Sequence, residues 1–296
     1  MTTSRDASPR DTPPPSADEQ AWFEANRAMW DERVPIHVAG DFYDVAGFEA
    51  GASTLRPFEV EELGDVRDRE LLHLQCHFGL DTLSWARRGA RVTGLDFSAP
   101  AVEAARQVAE RVGIAARFVH ANVYDARAAL DREYDIVYTG LGALCWLPDL
   151  DRWAEVVAGL TRPGGTVYLS EFHPITDTLG DEALTFERDY FGGGPHVWDE
   201  PGTYAALEAS TQANLSYEWI HPVSEVIGAL LARGLVLQSF REHDYTLFPR
   251  WPFLIDQGNH QYRLPDDLPK LPLMYSLRLA KPDGSNDRMI DRSRQS

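Results

Sequence analysis

Cysteine is scarce in this 296-residue chain: Cys76 and Cys145 are the only two. Two are too few for a disulfide framework or a cysteine-built metal cluster, and the count suits a reducing compartment. Positive charge is short as well. Lys and Arg number 28 against 46 Asp and Glu, a formal charge of −18, and no basic run exceeds Arg87-Arg88. That balance opposes a nucleic-acid partner, which would need a basic face against phosphate, and opposes docking on an anionic membrane. No apolar run reaches membrane-spanning length, and residues 1–17 lack the apolar segment of a secretory signal. The expectation is a cytoplasmic monomer or homodimer with no membrane, nucleic-acid or metal partner. Hydrophobic residues make up 44% of the chain, enough for a sizeable core.

The chain is organised around residues 71–96, LLHLQCHFGLDTLSWARRGARVTGLD. An apolar run with a polar break at His73 suits a buried parallel strand. Gly79 ends a sharp turn, and Asp81 and Thr82 favour a helix start. Leu83, Trp85 and Ala86 give that helix an apolar side up to Gly89. Residues 91–95 form a second strand ending on Asp96. Strand, glycine turn, helix, strand and acid form the unit that binds nucleoside-containing cofactors, with the acid placed to accept from a ribose diol. A dinucleotide site needs G-x-G-x-x-G so that pyrophosphate can approach the backbone. The turn here, Gln75-Cys76-His77-Phe78-Gly79, has one glycine and two bulky side chains, which opposes a nicotinamide oxidoreductase.

Elsewhere the proline-rich residues 1–17 read as a disordered tail. Trp22, Ala25, Met29 and Arg33 then recur at helical spacing, with Asp18 as a plausible cap. A helix-poor stretch follows to Arg69. Beyond Asp96, strands and helices alternate: a helix capped by Ser98, a strand in ARFVH, a strand over 134–139, a helix in LDRWAEVVAGL, a fifth strand in TVYLSEF. A helix from His221 to Arg233 and strands in LVLQSFREHDY and LPLMYSLRLAKP complete the count. This alternation predicts an α/β fold with a seven-stranded, mostly parallel sheet and helices on both faces. Aromatic-rich insertions, 175–220 and 246–271, leave strand ends on the ligand side and would form a lid. A single domain over 18–281 is expected, with an N-terminal cap (18–69), a core (70–172) and a mobile tail (282–296).

Four motifs in this core resemble those of class I S-adenosylmethionine-dependent methyltransferases, which are Rossmann-like, over about residues 70–171. In LLHLQCHFG, His73 stands at the family's acidic position, the one that holds the methionine amino group. Gln75 and His77 replace its first two glycines, and Gly79 keeps the last. GLDFS supplies Asp96 and Phe97 at the ribose. FVHANVYDA places Asn122 and Val123 at the adenine, with the Asn122 carbonyl able to accept from its amino group. YDIVYTGLGALCW puts Thr139, Gly140 and Leu141 beside the cofactor, and LTRPGG is the turn before strand five. An N-terminal helix often lies over the cofactor in the family, which makes Trp30, His37 and Tyr43 pocket candidates. Trp22, Trp30, Phe42 and Phe48 equally suit docking that helix on the core. Cys76 reads as a small buried hydrophobe.

The resemblance implies S-adenosylmethionine as cofactor and S-adenosylhomocysteine as product, and the aromatic-rich insertions suggest a small, aromatic acceptor of specialised metabolism, methylated at oxygen, nitrogen or ring carbon. The acceptor side would draw on Trp146, Tyr190, His196, Trp198, Tyr217, Tyr245 and Trp251. Glu171 and His173, two apart on strand five and so on one face, form a candidate general-base pair, with His221 as the next candidate. A non-catalytic cofactor-binding or regulatory protein is the alternative that the altered glycine motif supports.

Overall fold

The computed structural model of the protein describes residues 16–283 except 192 and 259. The tails expected at either end therefore lie outside the described residues, apart from their inner edges. Ser16 is no tail residue. It caps α1 (Ala17–Ala39) by accepting from the Glu19 N–H, and Glu19 returns the bond to the Ser16 N–H. This capping box corrects the assignment of the cap to Asp18, which sits in the first turn instead.

Helices α2 (Val45–Glu49) and α3 (Pro57–Leu63) precede β1 (Glu70–Leu74), α4 (Leu80–Arg87) and β2 (Arg91–Asp96). Next come α5 (Ala99–Arg111), β3 (Arg117–His120), α6 (Ala126–Ala129), β4 (Tyr134–Thr139), α7 (Leu150–Leu160) and β5 (Thr161–Phe172). The remainder comprises β6 (His196–Asp199), β7 (Leu215–Glu218), α8 (Val223–Ala232), β8 (Val236–His243), β9 (Tyr245–Thr246), β10 (Ile255–Asp256), β11 (Tyr262–Arg263) and β12 (Met274–Ala280).

Seven strands form the central sheet in the order β3-β2-β1-β4-β5-β12-β8, and β12 runs antiparallel to both β5 and β8. The order reverses between β1 and β4, which pair in parallel from Leu71↔Ile136 to Leu74↔Thr139. A crevice opens beyond the carboxyl ends of strands at such a switch point. Helices cover both faces, so β1 is buried on both: Leu71, Leu72 and Leu74 are fully enclosed. One face packs Leu72, Val137 and Leu169 under Trp153 of α7 and Leu230 of α8. On the other, Leu71, Val92 and Ile136 meet Trp85 of α4, and α5 packs Val102 and Ala105 against Phe118.

The stretch expected to be helix-poor contains α3, whose buried face carries two acids beside Phe58. Buried Glu59 accepts from the Tyr138 and Ser170 hydroxyls at 2.6 and 2.9 Å. Glu62 accepts from Tyr168 and Ser276 at 2.9 and 3.1 Å. Acids that bond a hydroxyl-bearing sheet interrupt the hydrophobic stripe that a periodicity reading looks for.

The first insertion forms a hairpin, β6–β7, that α1 grips. Asn26 both donates to the Tyr217 carbonyl and accepts from its N–H at 2.8 Å, and Glu32 accepts from the Gln212 and Ala213 N–H groups. The second builds a small sheet, β10-β11-β9, and its Trp251 and Leu264 cluster with Leu179 of the first insertion and with Leu273. Among the described residues no helix is long and apolar enough to cross a membrane.

Candidate active site

The turn after β1 adopts the backbone its glycine-poor sequence resists. Gln75 and His77 have φ of 55° and 50°, and Gly79 has 80°. For a non-glycine residue the left-handed region costs about 1–2 kcal/mol. Gly79 has no alternative: a Cβ there would lie 2.7 Å from the Phe118 ring. Asp96 closes the turn, its carboxylate accepting from the His77 N–H at 2.7 Å and from the Ser98 N–H at 2.9 Å. Burial pushes its carboxyl up to about 6, against those two amides. Ser98, the expected cap of α5, accepts from the Ala101 N–H and donates to Asp31 of α1 at 2.6 Å. Asp31 carries no motif and was not legible as a neighbour of this site.

At the adenine position the Asn122 carbonyl accepts from the Tyr124 N–H at 3.1 Å, capping the next turn. The carbonyl oxygen has a second lone pair, so this bond is compatible with the expected acceptor role. Val123 is 4% exposed and packs in the main core. Phe97 is half-buried and gives its carbonyl to His120. Thr139 is buried, while Gly140 and Leu141 follow it at the switch point.

Helix α1 does lie over this turn. Trp30 meets His77 and Trp146 edge-on, each with centroids 5.3 Å apart. His37 stands 3.4 Å from His77 and 2.7 Å from the Thr203 hydroxyl, nitrogen to nitrogen and nitrogen to oxygen. Tyr43 meets Phe78 edge-on and hydrogen-bonds Tyr204 hydroxyl to hydroxyl. Burial, reinforced by Arg33, lowers His37 to about 4, and burial lowers His77 well below its usual range. Both rings are therefore neutral at physiological pH, parts of an aromatic wall rather than charges. Cys76 is buried as expected, in the α5 cluster.

The expected base pair does not form. Glu171 accepts from the N–H groups of Gly142, Ala143, Leu144 and Phe172 at 2.6, 2.8, 2.9 and 2.7 Å. It holds the loop after β4 in place, and Trp146 rides on that loop with its indole N–H on the Gly142 carbonyl. His173 turns instead to Glu242 of β8 at 3.3 Å and accepts from the Ile175 N–H. His221 has Nε2 2.7 Å from the Leu147 carbonyl, which fixes that nitrogen as a donor to backbone. In each case a backbone or side-chain partner has already claimed the group.

Several acceptor-side candidates are also displaced. Trp251 is 1% exposed and donates to the Gly180 carbonyl, so it builds the insertion's core and lines nothing. Tyr217 packs on Trp22 to hold α1. Tyr245 lies against Phe58 and His243, with Arg263 over its ring. Tyr190 gives its hydroxyl oxygen to the Val223 N–H. Trp198 lies in β6 under the Arg188 guanidinium at 5.1 Å, with His196 on the same hairpin opposite Glu218.

Glu218 was not expected. It ends β7, one residue before Trp219, whose N–H binds the Cys145 carbonyl. Its carboxylate has no hydrogen bond to the described residues and feels Asp177, Arg250 and Arg188. Burial, with Asp177 adding to it, pushes its carboxyl up to about 7. Asp177 and Arg250 pair at 2.7 Å. The only signal for Glu218 was an acid alternating with aromatics in SYEW.

Residues 72–169 match the family described as "Methyltransferase domain". Ubiquinone biosynthesis O-methyltransferase of Serratia proteamaculans is 30% identical over 153 residues, covering 46% of this chain and 63% of that protein. Its Klebsiella pneumoniae counterpart is 31% identical over 137 residues, covering 45% and 56%. The chain thus spans less than two thirds of the length of these relatives. S-adenosylmethionine-dependent methyltransferases from Mesorhizobium loti and Clostridium acetobutylicum share the fold. Their TM-scores are 0.55 and 0.53 at 20% and 12% identity, over 78% and 88% of this chain and 99% of each of theirs. Residues 72–169 thus match a methyltransferase domain, and the chain shares the fold of S-adenosylmethionine-dependent methyltransferases.

Proposed function

We propose that this chain transfers the methyl group of S-adenosylmethionine to a small acceptor bearing an aromatic or other flat apolar group, in the cytoplasm. The observation that carries the reading is Asp96, a buried carboxylate at the end of β2 tied to the turn by the His77 N–H. Each carboxylate oxygen accepts more than one bond, so both retain capacity for ribose hydroxyls. The residues at the site fit the cofactor. Asp96 would take the ribose, Asn122 the adenine edge, and Gly140 offers backbone without a side chain at the switch point. Trp30, His77 and Trp146 supply aromatic faces and edges that suit a sulfonium.

Bound there, S-adenosylmethionine supplies an electrophilic methyl whose sulfur leaves as a neutral thioether. The chain's own contribution is then positioning and proton removal. Glu171 fixes the loop that carries Cys145 and Trp146 between the cofactor turn and the insertions, which keeps acceptor and methyl in register. Glu218 is the candidate base. It takes the proton from an acceptor hydroxyl, amine or acidic ring position as the new bond to the methyl carbon forms. Arg188 on Trp198, and Arg250 on Asp177, border the same space.

Titration calorimetry with S-adenosylmethionine, S-adenosylhomocysteine and NAD tests the cofactor assignment. Binding of NAD alone would overturn it. Release of S-adenosylhomocysteine across a panel of phenols, catechols, indoles and aromatic amines separates an enzyme from a binder.

A further inference from the structure

The family's contact to the methionine amino group is an acid at the end of β1, and this chain has His73 there. The His73 ring is 4% exposed and its Nδ1 lies 2.8 Å from the Thr82 hydroxyl. Burial holds its pKa down to about 4, so it is an uncharged imidazole at neutral pH. It cannot stand in as a counter-charge. Its Nε2 faces the switch point: a Cβ built on Gly140 would have that nitrogen as its nearest neighbour, at 3.4 Å.

Two residues further on, Gln75 carries two unfavourable features at once. It occupies the left-handed region at φ 55°, where glycine would be free of strain. Its Nε2 donates to the Ala143 carbonyl at 2.8 Å, which sets the orientation of the amide and spans the gap between the β1 and β4 ends. The other end of the amide, Oε1, is buried and has no partner among the described residues. Buried acceptors are rarely left unpaired in native proteins, and a strained backbone beside one marks a site where something else provides the return.

Building on the cofactor reading above, we propose that Gln75 Oε1, with His73 Nε2 beside it, accepts the α-ammonium of S-adenosylmethionine in place of the missing acid. Two neutral acceptors replace one carboxylate. The Ala143 bond fixes the amide's orientation, and the loop bearing Ala143 is itself held by Glu171 through the Ala143 N–H. The glycine-poor turn thereby gains a recognition role that glycine could not supply, because only a side chain reaches across to β4.

Calorimetry on the full chain with two probes decides this. S-Adenosylhomocysteine carries the amino group, and 5′-methylthioadenosine keeps the nucleoside and sulfur but lacks the amino acid. Gln75→Gly restores the family's residue, relieves the φ strain and removes Oε1. It should fold at least as stably as wild type yet bind S-adenosylhomocysteine about tenfold more weakly, a change of about 1.4 kcal/mol. Its affinity for 5′-methylthioadenosine should stay within about twofold. Gln75→Leu, which keeps bulk without the acceptor, should show the same split. Unchanged S-adenosylhomocysteine affinity in either variant, or equal losses for both probes, would overturn the assignment. Wild-type protein that binds neither probe would overturn the cofactor reading itself, which separates the two failures.

Discussion

His77 donates its backbone N–H to Asp96 across the gap between β1 and β2, at 2.7 Å. That bond joins a residue in a strained turn to a buried carboxylate, and it places the acid before any ligand arrives. Such preorganisation lowers the ordering cost of binding.

Asp96 is therefore expected to cost stability while supporting affinity. Its carboxyl lies up at about 6 in the fold against 3.8 for the free group. Between those values the folded chain keeps a proton that the unfolded chain has lost, so stability falls as pH rises through that window. The penalty is fully present above about pH 6 and amounts to about 3 kcal/mol. Asp96→Asn should thus be more favourable to stability at pH 7.5 than at pH 4 by at least about 2 kcal/mol, measured by denaturant unfolding. The same change, or Asp96→Ala, should weaken S-adenosylmethionine binding by about tenfold or more. A variant equal to wild type in affinity contradicts the ribose assignment.

Glu171 should behave as a structural clamp. Removing it in Glu171→Ala strands three N–H groups on the partly buried loop after β4 and that of Phe172 at the end of β5, for a loss of about 3 kcal/mol or more. Thermal melting should drop by roughly 5–10 °C, and the drop should appear without cofactor or acceptor. Wild-type melting in Glu171→Ala would show that the loop does not depend on it.

For catalysis, the contrast between Glu218 and His173 is decisive. Glu218→Gln should lower the maximal rate by about a hundredfold or more with S-adenosylhomocysteine affinity kept. The wild-type rate should rise as pH passes about 7, where the Glu218 carboxylate forms, and the variant should lack that limb. His173→Ala should keep most of its rate, since Glu242 holds the ring away from Glu171. If the two variants exchange these behaviours, the base is His173.

Trp251→Ala should destabilise the second insertion by about 3–5 kcal/mol, as removal of a buried aromatic does. Limited proteolysis should cut that insertion first, while cofactor affinity stays near wild type. Loss of cofactor binding in step with stability would tie this cluster to the cofactor site instead.

Strand, turn, helix, strand and acid over residues 71–96 were legible because each depends on neighbours close in sequence: the apolar runs, Gly79 and Ser98. The same is true of β4 over 134–139 and of the seven-strand count. The partners of Glu171, His173 and Glu218 were not. Glu171 meets amides 27 to 29 positions away, His173 meets Glu242 on another strand, and Glu218 belongs to a hairpin whose place is set by α1. Strand period alone put Glu171 and His173 on one face, but a shared face does not say which donor arrives first. The sequence by itself determined the cofactor fold and the position of Asp96, because periodicity and turn chemistry act locally. Only the tertiary structure decided which carboxylate is saturated and which is left open, because hydrogen-bond partners are allotted by packing between distant segments.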